Sequence, residues 1–548
     1  MIFLVVGVLY LPFISQAFHI DDRIYLEIAG TALEKPFFPY DSPTLFEGLI
    51  APDGASHSHL PLTSYYLALV RLLTGAESEW VFHLAFLVFP LLAGFSFYDL
   101  ARRFVRVPLA ATVLLLGAPA FLVLGHTLMP DVPLLAFWLL ALSRFLRLAS
   151  GEGVMADRVI LILAILGAAF ISMVSAGLVL LMAAYLVLDR RKPPTAPSTG
   201  FWIAVLLSPV LLWVMWYLRA YLYYDRFVLV NTLLHMDKRS IFELNLLGAR
   251  LLSFVLNVGG LFLLPLAVWV GFSGKLRTRF ALAVFLLSLI PIHWMAPEWE
   301  WVHKGLLALL LTTGFLIFWE FILVGLDWRP HQLLPVFWFF GILAACLVLY
   351  YAGSVRYSLL ALPPVILVWI RRVELSNWKP PQAVRIIWIA TALTVLYALP
   401  ISWADYRFAE TYKVVAARLV DQYESAGHRV WYAGEWGFRY YFEKNGARPL
   451  PRTSTEAASG DILIKPYVAM PWVTLYDGEG YSKLLEQQVL QESFPLRVLD
   501  FSSHAGFYST GWGLLPFSIS TGAPWEWFNV YRIQKRYDGP IPEEESHW

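Results

Sequence analysis

Two adjacent carboxylates, Asp21 and Asp22, stand where an apolar stretch, Met1 to Phe18, gives way to His19-Ile20-Asp21-Asp22-Arg23-Ile24-Tyr25. An ionised carboxylate is costly in hydrocarbon, so acids at a membrane boundary are either solvated or put to use. A carboxylate in that position can deprotonate a hydroxyl nucleophile within hydrogen-bond reach. The bland alternative is a solvated helix end. The same arrangement recurs at His126-Thr127-Leu128-Met129-Pro130-Asp131-Val132-Pro133, a turn between two apolar segments. Asp131 there suits a helix N-cap, with proline in the first turn. A cap leaves one carboxylate oxygen free for chemistry.

Three further groups belong to the same inventory. His57-Ser58-His59 offers two imidazoles that can ligate a metal, donate to a phosphate or simply face water. Tyr350-Tyr351-Ala352-Gly353-Ser354-Val355-Arg356-Tyr357 carries an arginine whose planar fork suits a phosphate; the alternative is an arginine snorkelling at the interface. Glu298-Trp299-Glu300-Trp301 faces outward, where it can touch a sugar or rest at the interface, and Glu320 reads as structural.

The elements that must position these residues are membrane helices. The 548-residue chain is 58% hydrophobic and 15% charged, against about 25% charged in an average soluble domain. A net charge of +1 gives no case for nucleic acid. Cys346 is the only cysteine, which excludes an internal disulfide and a CxxC zinc cluster. Taking roughly 20 apolar residues per pass, with ~17 as the floor, spans are predicted near 1–18, 81–101, 107–125, 132–148, 158–173, 174–189, 201–220, 246–271, 280–296, 305–326, 332–352, 357–370 and 384–402.

Basic residues prefer the cytoplasm. Arg144, Arg147 and Arg158 precede the 158–189 pair, and Arg190, Arg191 and Lys192 follow it, so two passes are needed there. Arg102-Arg103, Lys275, Arg277, Arg279, Arg329, Arg371-Arg372 and Lys379 fall on the same side. The acid loop, the His126–Asp131 turn, the 221–245 loop with Lys238-Arg239, and Arg356 fall opposite. Thirteen passes then put the N-terminus inside and residues 403–548 outside. Ser15-Gln16-Ala17 mimics a signal-peptidase site, but no basic segment precedes it.

The expected fold is thus a polytopic all-α membrane domain over 1–402, with about thirteen transmembrane helices, and a C-terminal soluble α/β domain over 403–548. Within the first outer loop, 19–80, short interfacial helices are expected at Phe37–Tyr40 and Leu60–Val70. In the soluble domain, helices are expected at Tyr406–Ser425, Gly437–Lys444 and Ser482–Glu492. Strands are expected at Arg429–Ala433, Ile462–Lys465, Leu496–Phe501 and Asn529–Ile533.

In this order the residues resemble the C-type (GT-C) membrane glycosyltransferases. The likeness is to the protein O-mannosyltransferases and the bacterial enzymes that add aminoarabinose or other sugars to lipid A. It rests on Asp21-Asp22 with Tyr25, on His59, Pro61, Leu62, Tyr65 and Tyr66, and on Asp131 in Met-Pro-Asp-Val-Pro-Leu-Leu. Arg356-Tyr357 before Leu362-Pro363-Pro364, and Gly434-Glu435-Trp436-Gly437-Phe438 in the tail, complete it. Three positions depart from the family pattern: Asp22 for a frequent Glu, Leu60 for a proline, and Met173 for a lysine.

The resemblance implies a polyprenyl-phosphate sugar donor, used at the outer face of the plasma (inner) membrane, with inversion at the anomeric carbon. The acceptor would be a lipid, glycan or protein hydroxyl. Asp21, Asp22 and Asp131 are the expected catalytic residues, with Asp21 as base. His59, His126, Arg356 and Tyr357 are expected at the donor phosphate. Asp22, His57, His59 and Asp131 form a candidate set for a divalent cation, Mg or Mn. The competing classes are a transporter or flippase of lipid-linked sugars, which would put ionisable groups near mid-membrane on repeated broken helices, and a scaffold that only displays the soluble domain.

Overall fold

The computed structural model describes residues 1–55, 57, 59–189, 193–229, 246–262, 265, 275–326, 330–350, 353–520 and 522–541. Ser58, Arg190, Arg191, Lys192, Lys238, Arg239, Arg329, Tyr351 and Ala352 lie outside the described residues, as do parts of the 221–245 loop and of the 246–271 span. The side chain of Arg277 is likewise outside them.

Every expected span has a helical counterpart. Among the described residues, six helices are long and apolar enough to cross a membrane: Glu79–Ala101, Asp131–Ala149, Thr199–Tyr224, Thr278–Met295, Trp301–Gly325 and Pro380–Ser425. Shorter apolar helices include Ile2–Phe13, Met173–Leu188, Leu247–Leu261 and Leu333–Val348. Six of the expected thirteen meet the length requirement among the described residues, and the 246–271 and 332–352 spans run into residues outside them. Two other segments are broken by local structure. The 107–125 segment is cut into Pro108–Leu116 and Pro119–Leu124, because Pro119 lacks the N–H that would continue the first helix. The 357–370 segment is split likewise into Val355–Ser358, a 3₁₀ turn at Leu359–Ala361, and Leu362–Glu374.

The last span does not stop near 402. A single helix, Pro380–Ser425, runs 46 residues, on the order of 70 Å at ~1.5 Å per residue. That exceeds a ~30 Å hydrocarbon core. Its second half carries the amphipathic segment expected as a separate helix, and buries Ile401, Asp405, Phe408, Tyr412, Val415 and Leu419 on one face.

The C-terminal region holds a five-stranded mixed sheet in the order Arg448–Pro449, Val430–Tyr432, Ile462–Pro466, Glu526–Ile533, Ser482–Leu490. The first three strands are parallel and the last two join antiparallel. Ser482–Leu490 was expected to be helical. Its Lys, Leu, Glu and Gln favour a helix locally, but the free edge of Glu526–Ile533 captures the segment as a strand, and pairing outweighs a weak propensity. Leu496–Phe501 yields two short strands, Leu496–Arg497 and Leu499–Asp500. In the first loop, Phe37–Tyr40 forms turns rather than a helix. Leu62–Thr74 is helical as expected, and a small hairpin pairs Thr44–Phe46 with Leu49–Ala51.

Candidate active site

Three side chains from distant parts of the chain meet at one point. Arg356 donates from Nη1 to Asp21 Oδ2 at 2.7 Å and from Nε to Asp131 Oδ2 at 3.1 Å. Each is aimed by its own local structure. Asp21 stands at the N-cap position of the Asp22–Glu34 helix but makes no capping bond. Its side chain, 27% exposed, is spent on the arginine instead. Asp131 was expected to cap its helix. Pro130 holds the cap position, Asp131 is the first helical residue, and its carboxylate turns to Arg356. A charge-assisted bond to a guanidinium outweighs a single cap bond. Arg356 is set by Ser354, whose hydroxyl accepts the Arg356 backbone N–H at 3.2 Å. The carboxylates and nearby tyrosines raise the guanidinium's already high pKa against the opposing effect of burial.

Asp22 has a different task. Its Oδ2 accepts the His19 backbone N–H at 2.9 Å and its Oδ1 accepts the Leu128 backbone N–H at 2.7 Å. One carboxylate thereby ties the first loop to the turn that carries Asp131. Burial pushes the Asp22 carboxyl up to about 8, against these two N–H groups, which favour the ionised form. Between His19 and Asp21, Ile20 adopts φ +49°, an outlying conformation for a β-branched residue. Backbone strain therefore sits beside the acid pair.

His57 and His59 line the neighbouring wall. Tyr25 makes edge contacts with both rings, at 5.9 and 6.2 Å between centroids. His57 Nδ1 accepts the His59 backbone N–H at 3.2 Å. Burial lowers both imidazoles, and His59 falls well below its ordinary value, so both are neutral hydrogen-bonding groups at neutral pH. Tyr357 stacks on Tyr350, 3.7 Å between centroids and 6° between planes. His126 is placed elsewhere. It packs against Tyr10 and Phe13 at 5.1 and 4.5 Å, and burial drops its pKa to about 3.

The candidate metal set does not assemble. Among the described residues no group of three or more His, Cys, Asp or Glu side chains could hold an ion. Backbone N–H groups occupy both oxygens of Asp22, Arg356 counters Asp131, and His57 Nδ1 takes the His59 N–H. In this arrangement those residues do not gather into an ion site. Glu320 pairs with Arg372 at 2.7 Å, and Trp299 lies flat on His504 at 3.7 Å. Met173 takes a contact from the Tyr217 hydroxyl at 3.3 Å.

The C-terminal region closes over the site. The Phe507 carbonyl accepts the Val355 N–H at 3.0 Å, and the Gly353 carbonyl accepts the Thr510 N–H at 2.8 Å. Arg23 reaches Glu435 at 3.6 Å, and Glu435 accepts the Glu47 N–H at 2.8 Å. Sequence reasoning missed Asp405, which is 1% exposed and bonded to Gln16 and Tyr508. The available signal was an acid spaced with Ile401, Phe408, Ala409 and Tyr412 along one helix face. The assumed boundary at 402 hid it.

Residues 56–216 match the family model described as dolichyl-phosphate-mannose-protein mannosyltransferase. Over that segment the chain is similar to this family. The matched segment includes His57, His59 and Asp131; Asp21, Asp22 and Arg356 lie outside it. No curated protein matches the chain significantly. Among solved structures, ArnT from Cupriavidus metallidurans bound to undecaprenyl phosphate is 13% identical, over 85% of this chain and 94% of that one, with a TM-score of 0.48. The Archaeoglobus fulgidus oligosaccharyltransferase tethered to an acceptor peptide is 12% identical, over 82% and 63%, with a TM-score of 0.42. Arabinosyltransferase EmbB from Mycobacterium smegmatis is 15% identical, over 74% and 42%, with a TM-score of 0.34. Likenesses this distant do not carry those proteins' activities onto this chain.

Proposed function

We propose that this GT-C-like chain is a membrane glycosyltransferase that moves a sugar from a polyprenyl-phosphate donor to an acceptor hydroxyl on the extracytoplasmic side. The observation that carries the reading is the Asp21–Arg356–Asp131 bridge. It gathers a base, its counter-charge and a second acid at helix ends, where a lipid-borne leaving group arrives. A carrier for lipid-linked sugars would need such groups at mid-span.

In this reading the acceptor oxygen attacks the anomeric carbon from the face opposite the phosphate. The new C–O bond forms as the bond to the phosphate oxygen breaks, with inversion and oxocarbenium-like charge on the sugar. Asp21 takes the acceptor proton through the oxygen that Arg356 does not hold. Arg356 offers its remaining N–H groups to the leaving phosphate. The neutral imidazole of His59 hydrogen-bonds there without adding charge, and Tyr357 walls the same side. Asp131 keeps Arg356 in register, and Asp22 fixes the loop. No step runs through a metal.

Residues 403–548 are assigned to the extracytoplasmic side, in the plasma membrane of the cell, on the basic loops already described. The acceptor is a lipid, glycan or protein hydroxyl. The test is direct. Purified protein given a synthetic polyprenyl-phosphate sugar and membrane acceptor fractions should release polyprenyl phosphate and label one fraction. Mass spectrometry of envelope lipids and glycans should show that product missing from deletion cells. No turnover together with an unchanged envelope would refute the reading.

A further inference from the structure

Asp405 lies on the Pro380–Ser425 helix, outside the Asp21–Arg356–Asp131 trio, and is fully enclosed by protein. Its Oδ2 accepts Gln16 Nε2 at 3.0 Å and its Oδ1 accepts the Tyr508 hydroxyl at 2.9 Å. The same Oδ1 stands 3.5 Å from Nε2 of His19, a contact too long and poorly aligned for a hydrogen bond, and His19 is 0% exposed. Three segments that never meet in sequence converge on one carboxylate.

From that carboxylate, two routes of direct contact lead to the trio. One passes through the first loop. His19, beside Asp405, gives its backbone N–H to Asp22, and Asp22 binds the Leu128 N–H, three residues before Asp131. Asp21 sits between these anchors. The other route passes through the C-terminal region. Tyr508 follows Phe507, whose carbonyl holds the Val355 N–H at 3.0 Å and accepts the Ser354 hydroxyl at 3.4 Å. Arg356 is the next residue.

We propose that Asp405 is a positioning residue that fixes Asp21 and Arg356 relative to one another by binding Gln16 and Tyr508 and packing against His19 from a single helix. The proposal rests on the glycosyltransferase reading of the site. Two physical points support it beyond the contacts. Ile20, at φ +49°, lies between His19 and Asp21. A strained residue persists only where its surroundings over-determine it, and the Asp405–His19 and Asp22 contacts bracket it on both sides. An acid among the rings of Phe408, Tyr508 and His19 is also costly to bury. It is a poor choice for stability alone, since packed apolar groups commonly do as well.

The experiment compares wild type, Asp405→Asn, Asp405→Glu and Tyr508→Phe in one transfer assay with a synthetic polyprenyl-phosphate sugar. Asparagine keeps the shape but offers one acceptor oxygen in place of two. Misplacement by about 1 Å can cost ~100-fold, so kcat of Asp405→Asn should fall by about that factor. KM for the donor should stay within about twofold, because groups that only align the reaction act on kcat, and the melting temperature should fall modestly, since either Gln16 or Tyr508 loses a buried acceptor. Asp405→Glu should recover part of the loss. Tyr508→Phe should lose roughly tenfold, and the double variant should be no worse than Asp405→Asn, since the two share one network.

Wild-type kcat in Asp405→Asn would overturn the proposal, as would a loss of kcat no larger than the loss of folded protein at the assay temperature. Should Asp405→Asn fail to accumulate, normal kcat in Tyr508→Phe overturns it equally. Absence of transfer by the wild type would remove the underlying functional reading, and the proposal with it; transfer by the wild type with no effect of these variants would remove the proposal alone.

Discussion

Replacing Asp21 with asparagine separates the base from every other property of the site. The amide is the size of the carboxylate and still presents one oxygen to Arg356 Nη1, now 2.7 Å away. A hydrogen bond to a charged group is worth about 1.5–3 kcal/mol, and only part of that depends on the acceptor's charge. Arg356 also keeps Asp131 at 3.1 Å. It therefore remains paired, and the penalty for an unpaired buried charge, about 3–5 kcal/mol, does not arise. Stability should fall by about 1 kcal/mol or less, a few degrees at most. Donor affinity should hold or rise. The trio changes from two carboxylates on one guanidinium to one, which removes a negative charge from the path of a phosphate. Turnover behaves differently. A general base contributes about 10²–10⁴-fold, or about 2.7–5.4 kcal/mol of barrier at 1.36 kcal/mol per decade. The expected Asp21→Asn protein inserts, melts near wild type, binds the polyprenyl-phosphate sugar, and does not transfer. Thermal unfolding, donor binding and product formation on one preparation check all four. Transfer within about tenfold of wild type by a well-folded variant would refute Asp21 as base.

Arg356→Ala should strand Asp21 and Asp131 without their counter-charge and abolish donor use. Arg356→Lys should keep on the order of a tenth, because a point charge cannot reproduce the Nε and Nη1 pair; donor dependence unchanged from wild type in both variants would leave Arg356 an interfacial anchor. Asp22→Asn should cost about 1–3 kcal/mol of stability, since one of the His19 and Leu128 N–H groups would lose its acceptor; an unchanged melting temperature would contradict the clamp. Chelation of divalent cations should leave turnover unchanged, because no three His, Cys, Asp or Glu side chains come together to hold an ion among the described residues; lost turnover would show that a cation completes the site. A cysteine at Val473, 70% exposed, in a Cys346→Ser background should react with an impermeant thiol reagent in intact cells. Labelling only after lysis would reverse the assigned sidedness.

The membrane body was legible because apolar runs are long and their flanking charges asymmetric. Its subdivision was not. Pro119, Pro363 and Pro364 interrupt segments that hydropathy alone reads as continuous, whereas Pro400 sits inside the 46-residue helix without ending it. Asp21, Asp131 and Arg356 were each visible as polar residues at span ends, yet nothing local said that they meet. The contact spans 335 and 225 residues of sequence. Asp22 and His126 show the converse. Their residue types suggested chemistry, but their surroundings decide the outcome: two backbone N–H groups for one, a pair of aromatic rings for the other. The Ser482–Leu490 strand failed for the same reason, since its partner is Glu526–Ile533, far along the chain.

The Gly434–Phe438 pattern bears on whether the C-terminal region merely decorates the helical body. Trp436 adopts φ +65°, an outlying conformation for a bulky residue. Its neighbour Gly437 comes so close to the first loop that a Cβ there would lie 2.3 Å from the Phe18 carbonyl. Glu435 pairs with Arg23, the residue after the acid pair, and burial raises its carboxyl while Arg23 and Arg439 oppose that rise. The Tyr441 hydroxyl accepts the Phe18 N–H and donates to Glu79, each at 2.9 Å. These contacts form a socket for residues 18–23. They make the C-terminal region part of the apparatus that fixes the acid pair, which a displayed, mechanically independent domain would not need. Strain at Trp436, like that at Ile20, is held where the two regions meet, and that is where a loosened fit would first be felt at Asp21.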